Sequence, residues 1–264
     1  TGLVGPVWAV VCLTLPVALE VLVSRIFAAP FLKALQPSLE NPPRAKEIFY
    51  FNLPLSVGGY LLSISAVALG AFIARAPDPE RILPIYYLAL GLVNPVAYAA
   101  TRIQTIVLAY PPQSRQDSST LRFAMAAGAC LGILPLIFIL PGLLELYYIK
   151  LQNLNIADIH LIRFTALSLT FLPFCVAIRA QSEGMGAWLK KPASVMFGQT
   201  VFFITIIIAG FVLLFLGAPG YLIGAIGLTL GSLASSWTMR ISLNWVKEKP
   251  IPVGQTTTSV GQIR

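Results

Sequence analysis

Seven apolar runs, each long enough to cross about 30 Å of hydrocarbon at ~1.5 Å per helical residue, dominate this sequence. They cover residues 3–29, 48–74, 82–109, 121–143, 161–179, 193–216 and 221–246. The segments between them carry breakers or charge: Gln36 to Lys46 with Pro37, Pro42 and Pro43, Ala76-Pro77-Asp78-Pro79, Pro111 to Ser119, Lys150 to His160, Gln181 to Pro192, and Gly217-Ala218-Pro219-Gly220. Charged residues make up 11% of the chain and hydrophobic ones 57%, whereas a soluble domain is roughly 25% charged. Too little polar surface is available to cover a fold in water, so the sequence predicts an all-α, polytopic membrane helix bundle. Twenty Gly and twenty Pro fit that class, because both are commoner in membrane helices than in soluble ones.

Eighteen Lys and Arg against ten Asp and Glu give a net charge of +8. In a soluble chain this would point to nucleic acid; here it reads as topology. Alternating the seven spans puts Arg75, Arg81, Lys150 and Arg163 on one side and the other fourteen basic residues on the opposite side. Basic loops stay cytoplasmic, so the carboxyl terminus is predicted inside, in a plasma or inner membrane. The first run has no basic stretch before it and continues to Phe27, unlike a signal peptide. With a Thr-Gly start it reads as a fragment. Residues 1–29 are predicted to be the last helix of a missing N-terminal six-helix half, 30–46 a cytoplasmic linker, 47–246 a six-helix bundle and 247–264 a disordered cytoplasmic tail.

No Walker-type GxxxxGK[ST], HExxH, GxSxG or Cys/His cluster occurs. The expectation is neither an enzyme nor an ATP-driven pump, with no cofactor, no metal and no nucleic-acid partner; membrane lipids are the surroundings. Cys12, Cys130 and Cys175 lie in apolar runs and read as buried free thiols, and His160 has no second ligand near it.

Polar side chains in hydrocarbon are costly and are expected to face partners or water. Helical spacing collects Asn52, Ser56, Gly59, Ser63 and Gly70 on the second run, Asn94, Tyr98, Thr101, Arg102 and Thr105 on the third, and Thr229, Ser232, Ser236 and Arg240 on the seventh. Three stripes in one bundle predict an aqueous cavity. Ser63, Gly70 and Ser232 are equally read as sites of close helix packing. Pro95 follows Asn94 and removes a backbone donor near mid-span, as Pro54 and Pro173 do in their helices. Arg102, about 12 Å beyond Asn94 along a helix, either meets a solute or snorkels to the interface. Candidate substrate contacts are Asn52, Ser56, Asn94, Tyr98, Arg102 and Arg179, although Arg179, like Lys190 and Lys191, also reads as a cytoplasmic basic residue with no ligand. Glu20, the only acid deep in a predicted span, is the candidate ion-coupling site or the partner of a basic residue on another helix.

Pro173 is followed by Arg179-Ala180, Gly184 and Leu189-Lys190-Lys191, and after the next span by Leu216-Gly217-Ala218-Pro219-Gly220 with Gly224 beyond. This run resembles the progressive ankylosis protein family, as does Phe49 to Arg75 with Leu53-Pro54-Leu55 near its start. That family belongs to the multidrug and toxin extrusion, lipid and oligosaccharide flippase superfamily. The resemblance implies a fold of two six-helix bundles around a central cavity, with this chain similar to the sixth to twelfth helices. It further implies alternating-access export of a polyvalent anion of the pyrophosphate, nucleotide or citrate class. A flippase for lipid-linked substrates, a cation-coupled drug antiporter and a membrane scaffold without transport are the alternatives.

Overall fold

A computed structural model of the protein describes residues 6–34, 44–112 and 118–244. Among them, seven helices are long and apolar enough to cross a membrane: Val10–Phe31, Ala45–Ile73, Pro79–Ala109, Ser119–Ile137, Ile156–Trp188, Pro192–Phe215 and Gly220–Leu243. The described residues contain no strand. The protein is an all-α integral membrane helix bundle, the solution that lets every backbone donor and acceptor in hydrocarbon pair within its own segment. Most of the predicted linker and all of the predicted tail lie outside the described residues.

The chain divides into two compact units between Ile48 and Phe49. The first contains α1 (Pro6–Ala34). The second takes in all but the first turn of α2 (Ala45–Ile73), then α3 (Pro79–Thr101), α4 (Ile103–Ala109), α5 (Ser119–Ile137), α6 (Pro141–Leu144), α7 (Ile159–Leu169), α8 (Leu172–Trp188), α9 (Pro192–Phe215) and α10 (Gly220–Asn244). A π-helical turn, Glu145–Leu151, continues α6.

Helix α8 is the centre of this second unit. Eleven of its seventeen residues are buried, and it packs against α3, α4, α5 and α10. This corrects the predicted fifth span, 161–179, and the connector from Gln181 to Pro192. The span is built from two helices and runs to Trp188. The break between them has a local cause: the Pro173 ring would meet the carbonyl of Leu169, four residues back, and α7 ends at that residue. Beyond it, Ala, Gln, Glu and Met are all good helix formers, with no proline until Pro192. Pro54 and Pro95, by contrast, sit inside uninterrupted helices.

The fourth span is shorter than the predicted 121–143. Helix α5 stops at Ile137, and Leu140 is extended (ψ 137°) because the following Pro141 disfavours a helical conformation before it. Helices α9 and α10 form a tight hairpin through Gly217, whose φ of 68° admits a left-handed turn without a Cβ clash. Outward-facing Val67, Phe211, Phe215 and Trp237 are all exposed, a surface suited to lipid rather than water. Cys130 is exposed as well, and so is Cys12 on α1; only Cys175 of the three thiols is buried as the sequence led one to expect.

Candidate functional site

A cavity of about 310 Å³ opens within the second unit between α2, α3, α8, α9 and α10. That is the lower end of the ~300–1,000 Å³ range of small-molecule sites. Its walls are mainly apolar: Leu62 and Leu69 from α2, Leu90 from α3, Val176 from α8, Phe202 from α9 and Leu228 from α10. Into this lining α3 sends Asn94, Tyr98 and Thr101, spaced so that one helical face carries all three. Asn94 is half-buried, whereas Tyr98 is exposed at the rim. Ser232 of α10 contributes a hydroxyl that is 1% exposed and has no hydrogen-bond partner in the protein.

Arg179 of α8 is the charged side chain in the cavity lining among the described residues. Its guanidinium carbon lies 5.0 Å from the centre of the Phe202 ring, a cation–π contact across to α9. Its Nε is 3.6 Å from Glu183 Oε1, one helical turn on. That distance suits an ion pair and is too long for a hydrogen bond, and the Arg179 Nε has no hydrogen-bond partner. Glu183 lies behind the cavity wall, 7% exposed, and accepts from Gln199 Nε2 of α9 at 3.4 Å. The Gln199 Oε1 is buried, unpartnered, and pressed against Gly58 of α2. A Cβ at position 58 would lie 1.5 Å from that oxygen, so only glycine admits the amide there.

A second polar cluster joins α8 to α5 and α10. Gln181 Nε2 donates to Thr120 Oγ1 (3.1 Å), and Arg240 donates through Nη2 to Gln181 Oε1 (3.0 Å) and through Nε to Ser182 Oγ (3.2 Å). The Ser182 and Ser236 hydroxyls are 2.8 Å apart. These bonds satisfy the polar groups of Gln181 and Ser182 at the level where the sequence reads as a connector, which is why a helix can carry them through a packed interior.

The structure brings Asn94, Tyr98 and Arg179 together and leaves the other candidates apart. Asn52 and Ser56 are exposed on α2 and do not line the cavity. The buried face of that helix is Gly58, Ser65, Leu69, Phe72 and Ile73. Phe72 packs on Gly210 and Gly58 on Gln199, and with this seating Asn52, Ser56, Gly59 and Ser63 of the predicted stripe are exposed while Gly70 lines the cavity. Exposed Ser63 bonds its own helix at the Gly59 carbonyl (3.2 Å). Arg102 is exposed at the junction of α3 and α4, outside the cavity lining. Glu20 is exposed on α1, in the first unit.

Sequence reasoning missed Ser65, Tyr87, Glu183 and Gln199. Glu183 also corrects the view that Glu20 is the sole acid deep in a span, since it lies inside Ile156–Trp188. Its signal was the Arg179 to Glu183 spacing of four residues on a run without proline. The residues of the family-like run have structural roles: Gly224 seats the Tyr86 ring, Gly184 admits Gln104 and Val107 of α4, and Lys190 turns the chain out of α8 with a φ of 54°. Comparison with protein-family models, curated proteins and solved structures finds no match to the chain.

Proposed function

We propose that the chain is the substrate-binding bundle of a multi-pass transporter that exports a small anionic solute by alternating access, with the cavity of the second unit as its half of the site. The single observation that carries this reading is the charge in the lining. Arg179 enters a mostly apolar cavity that no acid lines among the described residues, and a cation in a low-dielectric wall attracts anions strongly. Asn94, Thr101 and Ser232 supply neutral hydrogen-bonding groups around it. The resemblance to the progressive ankylosis family supports a polyvalent anion of the pyrophosphate, nucleotide or citrate class.

In this reading the basic ends of the spans face the cytoplasm, the carboxyl terminus lies there, and the membrane is the plasma or inner membrane. Rocking of this bundle against a second one would expose the cavity to each side in turn. The test is equilibrium binding of pyrophosphate to the purified chain in lipid nanodiscs. Saturable binding that weakens at least tenfold in Arg179→Ala is the expected result. Absence of saturable binding, or full retention in Arg179→Ala, would overturn the reading and leave a membrane scaffold as the better account.

A further inference from the structure

Arg179 belongs to two partners at once. It lines the cavity, and it is the cation within ion-pair range of a carboxylate buried behind the cavity wall. We propose that Glu183 is a proton-binding site coupled to the anion site through Arg179: an anion that takes the guanidinium leaves Glu183 to take up a proton, so anion and proton bind together. This rests on the anion reading of the cavity given above.

The physical argument is one of charge balance. The Arg179 and Glu183 side chains are 11% and 9% exposed, and their pairing is loose, at 3.6 Å without a hydrogen bond. A multivalent anion in the cavity offers the guanidinium shorter, bidentate contacts than Glu183 does. Once Arg179 turns to it, the carboxylate is a buried charge without a counter-charge, a state that proteins avoid by neutralising the group. Among the described residues, Arg179 is the cation recorded within ion-pair range of Glu183. Helix α9 presents the neutral Gln199 amide and, behind it, α2 presents Gly58, while Arg240 of α10 is engaged with Gln181 and Ser182.

Gln199 also fits both protonation states. It now donates Nε2 to the carboxylate and keeps a buried Oε1 without a partner. Rotation of the amide by half a turn brings that oxygen to Glu183, where it accepts from the new O–H. The step is a single proton gain at a carboxylate oxygen: the O–H bond forms as the buffer acid or hydronium ion gives up its proton, and no other covalent bond changes.

The experiment is calorimetric titration of the full chain in nanodiscs with inorganic pyrophosphate, in buffers of different ionisation enthalpy, for wild type and Glu183→Gln. Wild type is expected to take up about one proton more per pyrophosphate bound than Glu183→Gln; protonation of the anion itself is common to both and cancels. Glu183→Gln is expected to bind at least as tightly, since the competitor for Arg179 is gone. Equal proton uptake with binding intact would overturn the coupling and leave the anion site standing. Loss of pyrophosphate binding by wild type would overturn the anion site and the coupling with it. A readout that needs no variant is the infrared difference spectrum of wild type, which should gain a protonated-carboxyl C=O band on adding pyrophosphate. Its absence would equally overturn the coupling.

Discussion

Arg179 and Glu183 hold each other in a setting that tolerates neither alone, because a buried ion stripped of its partner costs about 3–5 kcal/mol. Arg179→Ala is therefore expected to lower thermal stability as well as binding. Adding Glu183→Gln to Arg179→Ala should restore most of the stability while binding stays lost, which a thermal-shift assay alongside pyrophosphate titration would show. If the double variant were less stable than Arg179→Ala, the pair would not be the source of the loss. Arg102 makes the contrast. It is exposed and outside the cavity lining, so Arg102→Ala should change pyrophosphate affinity by less than about twofold. Gly58→Val places carbon where the Gln199 amide now lies, and should strain that contact without touching the cavity lining. Arg179 could be singled out from sequence because it is a cation at the basic end of a predicted span, where an anion could be drawn in. Glu183 was masked despite its four-residue spacing from Arg179, because an acid beside Gln181 and Ser182 has the composition of a loop.

Helix ends in this protein follow local chemistry where proline or glycine acts, and packing where neither does. Pro173 ends α7, Pro141 opens α6, and Gly217 closes α9. Helix α8 ends differently, in a turn where the Lys191 N–H bonds the Gly186 carbonyl at 2.8 Å and Lys190 takes the left-handed conformation. That geometry is usual for glycine, and a residue with a Cβ there costs roughly 1–2 kcal/mol. Lys190 is exposed, so Lys190→Gly is expected to raise stability by about 1 kcal/mol after the added freedom of the unfolded chain is offset. A lowered melting temperature would mean that the lysine side chain contributes more than its backbone costs. The extension of α8 past Ala180 has no such local marker. It is held by Thr120 from α5, Gln199 from α9 and Arg240 from α10, all distant in sequence.

Seven helices that each cross the membrane would place successive connectors on alternate sides. Cysteines introduced at Asp78 and Asn153 are expected to react with an impermeant thiol reagent from one face of the membrane, and one at Lys190 from the other. Labelling of Asp78→Cys and Lys190→Cys from a common face would break the span count. The sequence reading of topology puts Arg75, Arg81, Lys150 and Arg163 on the minority side. Two of these are tied locally, Arg81 to Asp158 as an ion pair and Arg75 to the Ala71 carbonyl at 2.8 Å.

Fold class, span count and the approximate limits of most spans were legible from residue chemistry, since hydrophobic length and proline position act on each segment independently of its neighbours. Asn94, Tyr98 and Thr101 could be grouped for the same reason: they share one face of one helix, whichever way that helix turns. Which face turned inward was not legible. Asn52 and Ser56 share a face as regularly as the α3 residues do, yet Phe72 against Gly210 and Gly58 against Gln199 rotate them to the outside. The closing of α8 by side chains from three other helices, and with it the burial of the Arg179–Glu183 pair one turn apart on that helix, arise from contacts with other segments of the chain. Periodicity carries the angle of a residue about its own helix axis; the angle of that axis relative to its neighbours exists only once the helices have packed.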